Sequence, residues 1–433
     1  MSRAMKDSGI PWIGEIPSHW RVEQIGSCIK EVNCPNTDNA EDNALQFKMG
    51  TIISKKGGDS KYNPESLEAY NKVCQGDIII NGLNLSFDFI SQRVGLVRED
   101  GVITSTYLAL HPLPLIDSRY LTYLFKGYDY CKALHSMGRG LRATLGYKEF
   151  RKYSVIFPSL KEQQAIADFL DKKCGEIDEM VSLQERIVEE LKAYKQSVIT
   201  EAVCKGLNLD VPMKDSGIEW IGQIPSHCRI AKIGSIITGY KAGPFGSALI
   251  TGNLLTQGDI LVYTPEHITK RETSIEGNLY LPPERLVEMS QFVVKQGEII
   301  FPIVGSLGRA MQITKEMPLG IINQRLSKFS LIDEEVDNDY FMWVFGKSAF
   351  YSTFIDLHSR GAIIVNLTKQ IVCNMPIVLH PLAEQRAISA FLNERCTEID
   401  TLISVRQAKI DALKEYKKSI IYEYVTGKKE VNG

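Results

Sequence analysis

The chain repeats itself, and the repeat limits what it can fold into. MKDSGIPWIGEIPSHWRVEQIGS (Met5 to Ser27) returns as MKDSGIEWIGQIPSHCRIAKIGS (Met213 to Ser235), 208 positions later. EQQAIADFLDKKCGEIDEM (Glu162 to Met180) returns as EQRAISAFLNERCTEIDTL (Glu384 to Leu402), 222 positions later. The order is a fixed, a variable and a fixed segment, then the same three again, with the second variable segment 14 residues longer. Repetition on this scale means two copies of one architectural unit. Near-identity at the joints and divergence between them describe a common frame that holds two different readers.

At 433 residues the chain has room for about three domains of roughly 150 residues each. No apolar run approaches the roughly 20 residues that span a bilayer. The opening MSRAMKDSGIPW has no apolar signal core, so a cytoplasmic location is expected. Nine cysteines are scattered singly, with no C-x-x-C and no histidine pair at ligand spacing. Reduced thiols are therefore expected and a metal centre is not. The net charge is only −2, from 50 Lys/Arg against 52 Asp/Glu, whereas a simple nucleic-acid binder is often strongly basic. Any basic surface must come from local clustering, because only one face needs to be positive.

The second fixed segment predicts a long helix in each copy. Pro158 and Pro381 suit first-turn positions, and Gly206 and Gly427 stand where helices stop. Between them apolar residues recur at helical steps: Ile177, Met180, Ile187, Leu191, Tyr194 and Val198, and in the second copy Ile399, Leu402, Ile410, Leu413, Tyr416 and Ile420. Only Gly175 interrupts the first pattern. About 45 residues at 1.5 Å each give roughly 65 to 70 Å. Stripes that match in length and register favour pairing with each other, with Gln184 and Arg406 as polar interruptions that help set register. An ordinary bundle edge is the alternative.

The variable segments mix strand and helix. QGDIII (Gln75 to Ile80) and QGEIIF (Gln296 to Phe301) are equivalent turn-plus-strand units, and Val94–Val97 and Val293–Val294 also predict short strands. Leu121 to Met137 and Tyr340 to Leu357 predict aromatic-rich helices, each followed by a basic, glycine-containing turn, GRGLRATL or SRGAIIVNL. The reading is an α+β chain with recognition domains at 1–157 and 207–378, and long helices with their flanks at 158–206 and 379–433.

The KDSGIPWIGEIPSHW motif and its copy, the helix openings PSLKEQQAI and PLAEQRAI, and the duplicated order together resemble the specificity subunit of type I restriction–modification systems over nearly the whole chain. The resemblance implies two target recognition domains separated by two long antiparallel, coiled-coil-like helices with pseudo-twofold symmetry. It implies as partners double-stranded DNA, two methyltransferase subunits and, in the full complex, restriction subunits. Adenine N6 methylation or cleavage would be directed to a bipartite, asymmetric target with a fixed unread gap. No cofactor is expected in this chain; S-adenosylmethionine, ATP and Mg2+ would belong to the partners. Two departures are small: Cys228 stands where the first copy has Trp20, and Glu219 where it has Pro11.

Phosphate contacts call for Lys or Arg on glycine-rich loops that let the backbone approach closely. The candidates are Lys55, Lys56, Lys61, Arg139 and Arg142 in the first domain, and Lys241, Arg309 and Arg360 in the second. Asn81, Asn84, Gln324 and Arg325 have the side chains for bidentate base contacts. A solvated loop residue is the competing reading at each position. The paired Trp12, Ile13, Trp220 and Ile221 are expected to fix each domain against a helix end, and His19 and His227 to be hydrogen-bonded packing residues.

No catalytic residue is assigned. The chain has no G-x-x-x-x-G-K-[ST] phosphate loop, and its one Pro-Pro pair, LPPE at Leu281 to Glu284, lacks the flanking residues of an adenine methyltransferase motif. A stand-alone nuclease or methyltransferase, a protein-binding coiled-coil scaffold, and a specificity subunit of a system that cleaves beside its site remain the alternatives.

Overall fold

The computed structural model describes residues 3–55, 67–87, 92–140, 143–208, 210–245, 249, 254–305, 307–348, 353–355, 357 and 367–431. The chain divides into two compact units, Met1–Glu185 with Gln407–Gly433, and Arg186–Arg406. Each unit thus takes one variable domain and half of each long helix.

The long helices are where the sequence placed them. The first runs Leu160–Lys205, 46 residues, and the second Leu382–Val425, 44 residues. Ser159 and Glu162 cap the first reciprocally: the Glu162 amide donates to Ser159 Oγ, and the Ser159 amide to Glu162 Oε2. Gly206 and Gly427 leave the helices at φ +75° and +70°, which costs glycine little. Gly175 is an exposed mid-helix position where an added Cβ would meet nothing within 4 Å. Gly175→Ala is therefore expected to stabilise the first unit by about 0.5 to 1 kcal/mol, read as a raised midpoint in urea unfolding.

Within each unit the helix halves run antiparallel. In the first, Lys417 Nζ donates to both Asp178 oxygens at 2.7 Å and Lys414 Nζ to Glu185 Oε1 at 3.1 Å. In the second, Lys195 Nζ meets the Asp400 carboxylate at 2.6 and 2.7 Å. Lys195 and Lys417, like Asp178 and Asp400, are 222 positions apart, so one ion pair is built twice. Exposed pairs of this kind contribute about 0 to 1 kcal/mol each, and serve register more than stability.

The helical seam differs from the expected one. Ile177, Val181, Gln184 and Val188 are buried at steps of four and three. Ile399, Ile410 and Ile420 are also buried, and Ile187, Leu191, Val198 and Leu413 are half-buried. Met180, Tyr194, Leu402 and Tyr416 are instead 43 to 56 % exposed. The apolar residues of each helix cover more than one stripe, and only the stripe in heptad phase faces the neighbour. Gln184 is buried and Arg406 half-buried.

Both variable domains are built on a four-stranded antiparallel sheet of the same order. In the first it runs Ile29–Glu31, Leu108–Pro112, Ile78–Ile80, Val94–Leu96; in the second, Ile237–Ala242, Leu326–Leu331, Ile299–Pro302, Met311–Gln312. The QGDIII and QGEIIF strands are buried on both faces at the third position, which suits unbroken β-branched runs. Val293 makes only an isolated bridge to Ile321 after a 3-10 turn, so the strand expected at Val293–Val294 does not form. The aromatic helices are shorter than expected. Ser118–Tyr130 breaks at Lys132, a left-handed residue, before Ala133–Met137; the second runs Asn338–Gly346, and residues 353–355 and 357 are again helical.

Each domain is closed at its joint by main-chain pairing. Arg21–Gln24 pairs with Ser154–Phe157, and Arg229–Lys232 with Pro376–Leu379. A buried tyrosine then ties each domain to a helix end. Tyr120 donates to the carbonyl of Val425 at 3.1 Å, and Tyr340 to that of Val203 at 3.3 Å. In the first unit Tyr422 and Lys428 donate to the carbonyls of Trp12 and Ile13, so this motif does pack on a helix end. Trp220 and Ile221 join the apolar core of the second unit, where Ile199, Ala202 and Val203 of the first long helix also lie.

Candidate nucleic-acid interface

The loop surfaces of the two domains are where the units differ. In the first, the turn after the QGDIII strand meets the basic turn that precedes the long helix. Leu145 N donates to Gly82 O at 2.8 Å and Leu85 N to Ala143 O at 3.2 Å. A Cβ on Gly82 would stand 2.5 Å from Leu145 O, so only glycine lets the loops meet. This brings Asn81, Asn84 and Arg139 to neighbouring loops.

Their roles differ. Asn81 Oδ1 accepts from Leu83 N, a local turn bond, which takes its acceptor out of base reading. Buried Arg93 wires the same turn, donating to the carbonyls of Asn81, Leu83 and Asn84. Asn84 is exposed at φ +50° on this rigid support. Arg139 is 74 % exposed, with Glu149 at 3.9 Å. Lys55 lies half-buried over the Tyr70 ring, 5.9 Å from its centre. Lys56, Lys61 and Arg142 lie outside the described residues, as does Arg360 of the second domain.

In the second domain three candidates converge. Gly243 packs against the turn at Asn323 and Gln324 so tightly that an added Cβ would be 1.8 Å from Asn323 O. Gly305 lies against Arg325 Nη2 in the same way, at 3.0 Å. Lys241, two residues before Gly243, therefore shares a surface with the exposed Gln324 and Arg325. Lys241 is held by Gln291 at 2.6 Å and by the Phe292 ring, which fixes its head near the turn. Phe245, 79 % exposed on that loop, is not among the candidates that the sequence suggests. An exposed aromatic beside cations is the pattern of a base-stacking or wedging contact. Arg309 is exposed and donates to Thr269 O at 3.3 Å; no contact joins it to the Lys241 cluster among the described residues.

Sequence reasoning also misses a duplicated cleft where each variable domain meets the helices. In the first unit, a cleft of about 570 Å³ is lined by Lys126, Asp178, Lys414 and Lys417 among others. In the second, one of about 450 Å³ is lined by Lys347, Lys192, Lys195, Arg271 and Asp400. Burial, then the charge of Lys417, lowers the Lys126 ammonium below the ordinary lysine range; burial, then Arg271, does the same at Lys347. Each lies over an aromatic ring three or four residues before it, Tyr123 or Trp343. A lysine at helical spacing from an aromatic is common, so the sequence carried no signal for this.

One cluster contradicts the expectation that no residues are placed to hold a metal. His227, Cys228, His380 and Glu384 bring one ligand atom each to within 4.8 Å of one another. Their spacing in the sequence, with 152 positions between Cys228 and His380, matches no short ligand motif. The equivalent first-unit residues His19, Trp20, Pro158 and Glu162 offer no such set.

A scan against protein-family models finds no match. Among characterised proteins, the chain is 22 % identical over 423 residues to the type I restriction enzyme MjaVIII specificity subunit of Methanocaldococcus jannaschii, covering 95 % of this chain and 93 % of the relative. It is 21 % identical over 429 residues to the putative MjaX specificity subunit of the same organism, covering 96 % and 95 %. The EcoDI specificity subunit of Escherichia coli matches over 193 residues at 27 %, 44 % of this chain and 39 % of that one. Of solved structures, a chain from work on complex assembly and conformational transition of the type I R-M system superposes with a TM-score of 0.71 at 13 % identity, covering 95 % of this chain and 98 % of that one. The HsdS subunit from Thermoanaerobacter tengcongensis superposes at 0.51 and 15 % identity, with the same coverage. By sequence along nearly its whole length, and by fold, this chain is a relative of the type I restriction enzyme specificity subunits.

Proposed function

We propose that the chain is the non-catalytic specificity subunit of a type I restriction–modification complex. It reads a bipartite, asymmetric DNA target with a fixed unread gap. Partner subunits then carry out adenine N6 methylation or cleavage. The observation that carries this reading is the repeat in three dimensions: two domains with one sheet order on duplicated joints, differing at their loop surfaces. Each domain presents one half-site adenine to a methyltransferase, which must itself take the base out of the stack. Phosphate contacts come from the exposed Arg139 and Arg309 and from the half-buried Lys55 and Lys241, and base contacts from Asn84, Gln324 and Arg325. No described helix is long and apolar enough to cross a membrane, and the subunit works in the cytoplasm, where the DNA is.

The outward apolar residues of the helices give the methyltransferases a place to dock. Met180 and Leu183 share a helical face in the first unit, at the level of Tyr416 as set by the Lys417–Asp178 and Lys414–Glu185 pairs. Leu402, Val405 and Tyr194 repeat the set in the second. Two equivalent patches fit two copies of one partner. Converting Met180 and Leu183 together to Glu is expected to weaken methyltransferase binding by about 2 kcal/mol or more, roughly 30-fold, in calorimetric titration. An unchanged affinity would place the interface elsewhere.

The direct test is methylation mapping. The chain is co-expressed with its cognate methyltransferase, supplied with S-adenosylmethionine and unmethylated genomic DNA, and N6-methyladenine is located by sequencing. One bipartite motif, methylated on both strands and absent without this chain, is the expected result. Methylation that does not depend on the chain would leave it a scaffold.

A further inference from the structure

We propose that the second unit holds a structural zinc ion on Cys228, His380, Glu384 and His227. The argument begins with the duplicated joint. In the first unit the Glu162 carboxylate is surrounded by donors: Arg3 Nη2 at 2.9 Å, His19 Nε2 at 3.0 Å and Trp20 Nε1 at 3.3 Å. The repeat offsets carry Arg3 to Val211, Trp20 to Cys228 and Pro158 to His380, while His19 and Glu162 recur as His227 and Glu384. Three exchanges at one joint thus remove a fixed cation and an indole N–H, and install a thiol and an imidazole. Among the described residues no lysine or arginine pairs with Glu384; its ion-pair partners are His227 and His380.

The geometry of what replaced them is that of a ligand set. Cys228 Sγ lies 3.2 Å from His380 Nδ1, and the same nitrogen lies 3.2 Å from Glu384 Oε1. His227 Nε2 lies 2.9 Å from Glu384 Oε2. Tetrahedral zinc with bonds of about 2.0 to 2.3 Å separates its ligand atoms by about 3.3 to 3.8 Å; the close contacts open slightly and the widest separation, within 4.8 Å, closes by about an ångström to complete the site.

His380 is already oriented as a ligand. Its Nε2 is 3.0 Å from Val203 O. A carbonyl can only accept, so Nε2 carries a proton, and in the neutral ring Nδ1 turns its lone pair toward Sγ and Oε1. Donation of the second ring N–H to a backbone carbonyl is the usual outer support of a metal-bound histidine. That carbonyl belongs to the last turn of the first long helix, whose partial negative charge favours a cation. The 3.2 Å gap between this nitrogen and the carboxylate oxygen is a place for a positive charge, a bound cation or a proton, and metal analysis separates the two.

Cys228 and His380 are almost completely buried, while His227 is 41 % exposed at its side chain and leaves a path inward. Mixed sulfur, nitrogen and oxygen donors, four in number with no open position, select zinc in a structural role. Binding deprotonates the Cys228 thiol: an S–Zn bond forms, the S–H bond breaks, and the proton leaves to solvent. The ion would clamp the entry motif and the start of the second long helix beneath the end of the first. Trp20 and Pro158 supply no ligand atom, so the expected stoichiometry is one ion per chain.

The test uses the full chain, made without a histidine tag. Metal analysis after desalting should find one zinc per chain. Replacement by Co2+ should give a thiolate-to-cobalt charge-transfer band in the near ultraviolet and the strong visible bands of a four-coordinate ion. Cys228→Ala should lose the charge-transfer band. The triple variant V211R/C228W/H380P, which rebuilds the joint of the first unit, should fold and carry no zinc, which keeps the test decisive if Cys228→Ala does not fold. A folded wild-type chain without zinc and without a cobalt band overturns the proposal and leaves a proton-held cluster. So does a cobalt spectrum unchanged by Cys228→Ala, or stoichiometric zinc in the triple variant.

Discussion

Exchanging residues 28–157 for the corresponding domain of another specificity subunit is expected to change one half of the methylated sequence completely, and to leave the other half and the gap as they were. The joints are what make the exchange clean. Strand Ser154–Phe157 at the end of the exchanged segment pairs with Arg21–Gln24 outside it through main-chain bonds alone, and a ladder of this kind tolerates new side chains. Side-chain ties also cross the boundary: Arg119 pairs with Asp168 and Asp171, Tyr123 donates to Asp171, Gln163 bonds the backbone at Leu115 and Asp117, and Tyr120 donates to the Val425 carbonyl at the second helix end. A donor domain should carry partners for these groups, and tyrosine at the Tyr120 position, as this chain does in its second copy at Tyr340. The readout is N6-methyladenine mapping of the hybrid beside the parent. Altered sequence in both halves would mean that the domains do not read independently.

Lys328→Ala should produce the largest loss of stability in the second unit. Lys328 and Glu298 are 6 and 9 % exposed at their side chains, and the ammonium donates to both carboxylate oxygens at 2.9 Å and to the carbonyl of Val293. Removing one partner leaves a buried charge without its counter-charge, at a cost of about 3 to 5 kcal/mol. The double variant Lys328→Met with Glu298→Gln should recover most of that, because glutamine keeps an acceptor for the Lys295 amide, which the carboxylate now holds at 2.7 Å. Urea unfolding of the three proteins is the measurement, and a single-variant loss below about 1 kcal/mol would show the pair to be solvated. The first domain solves the same position differently. Asp77 follows the equivalent QG turn and meets His111 at 2.7 Å, and that histidine is 57 % exposed.

Elements whose signals are local are legible in the amino-acid sequence. The long helices announce themselves by proline starts, glycine stops and unbroken helical periodicity, and their observed bounds fall within about two residues of those signals. The QGDIII and QGEIIF strands are equally clear, because a glycine turn before β-branched residues admits few other conformations. Periodicity is weaker at choosing a face. Met180 and Val181 are both apolar and adjacent, and only the partner helix decides that Val181 is buried and Met180 faces outward. Val293–Val294 carries strand propensity but finds no ladder to join.

The interface is legible only in part. Glycine-rich basic turns point to Arg139, Lys241 and Arg309, all of which are in loops or at strand ends. Asn81 looks the same as Asn84 on paper, yet one closes its own turn and the other is exposed. Phe245 carries no signal, since an aromatic in a loop is as often buried as exposed.

The sequence by itself determined that this protein has two copies of one frame, a long helix in each, and two divergent domains between the joints. Each of those follows from repetition or from helical and strand period, which act over a few residues. Tertiary structure alone decided which helical stripe is the seam, which loops share a surface, and that His227, Cys228, His380 and Glu384 meet. Those outcomes depend on side chains brought together from strands and helices far apart in the chain, where sequence spacing carries no information about distance.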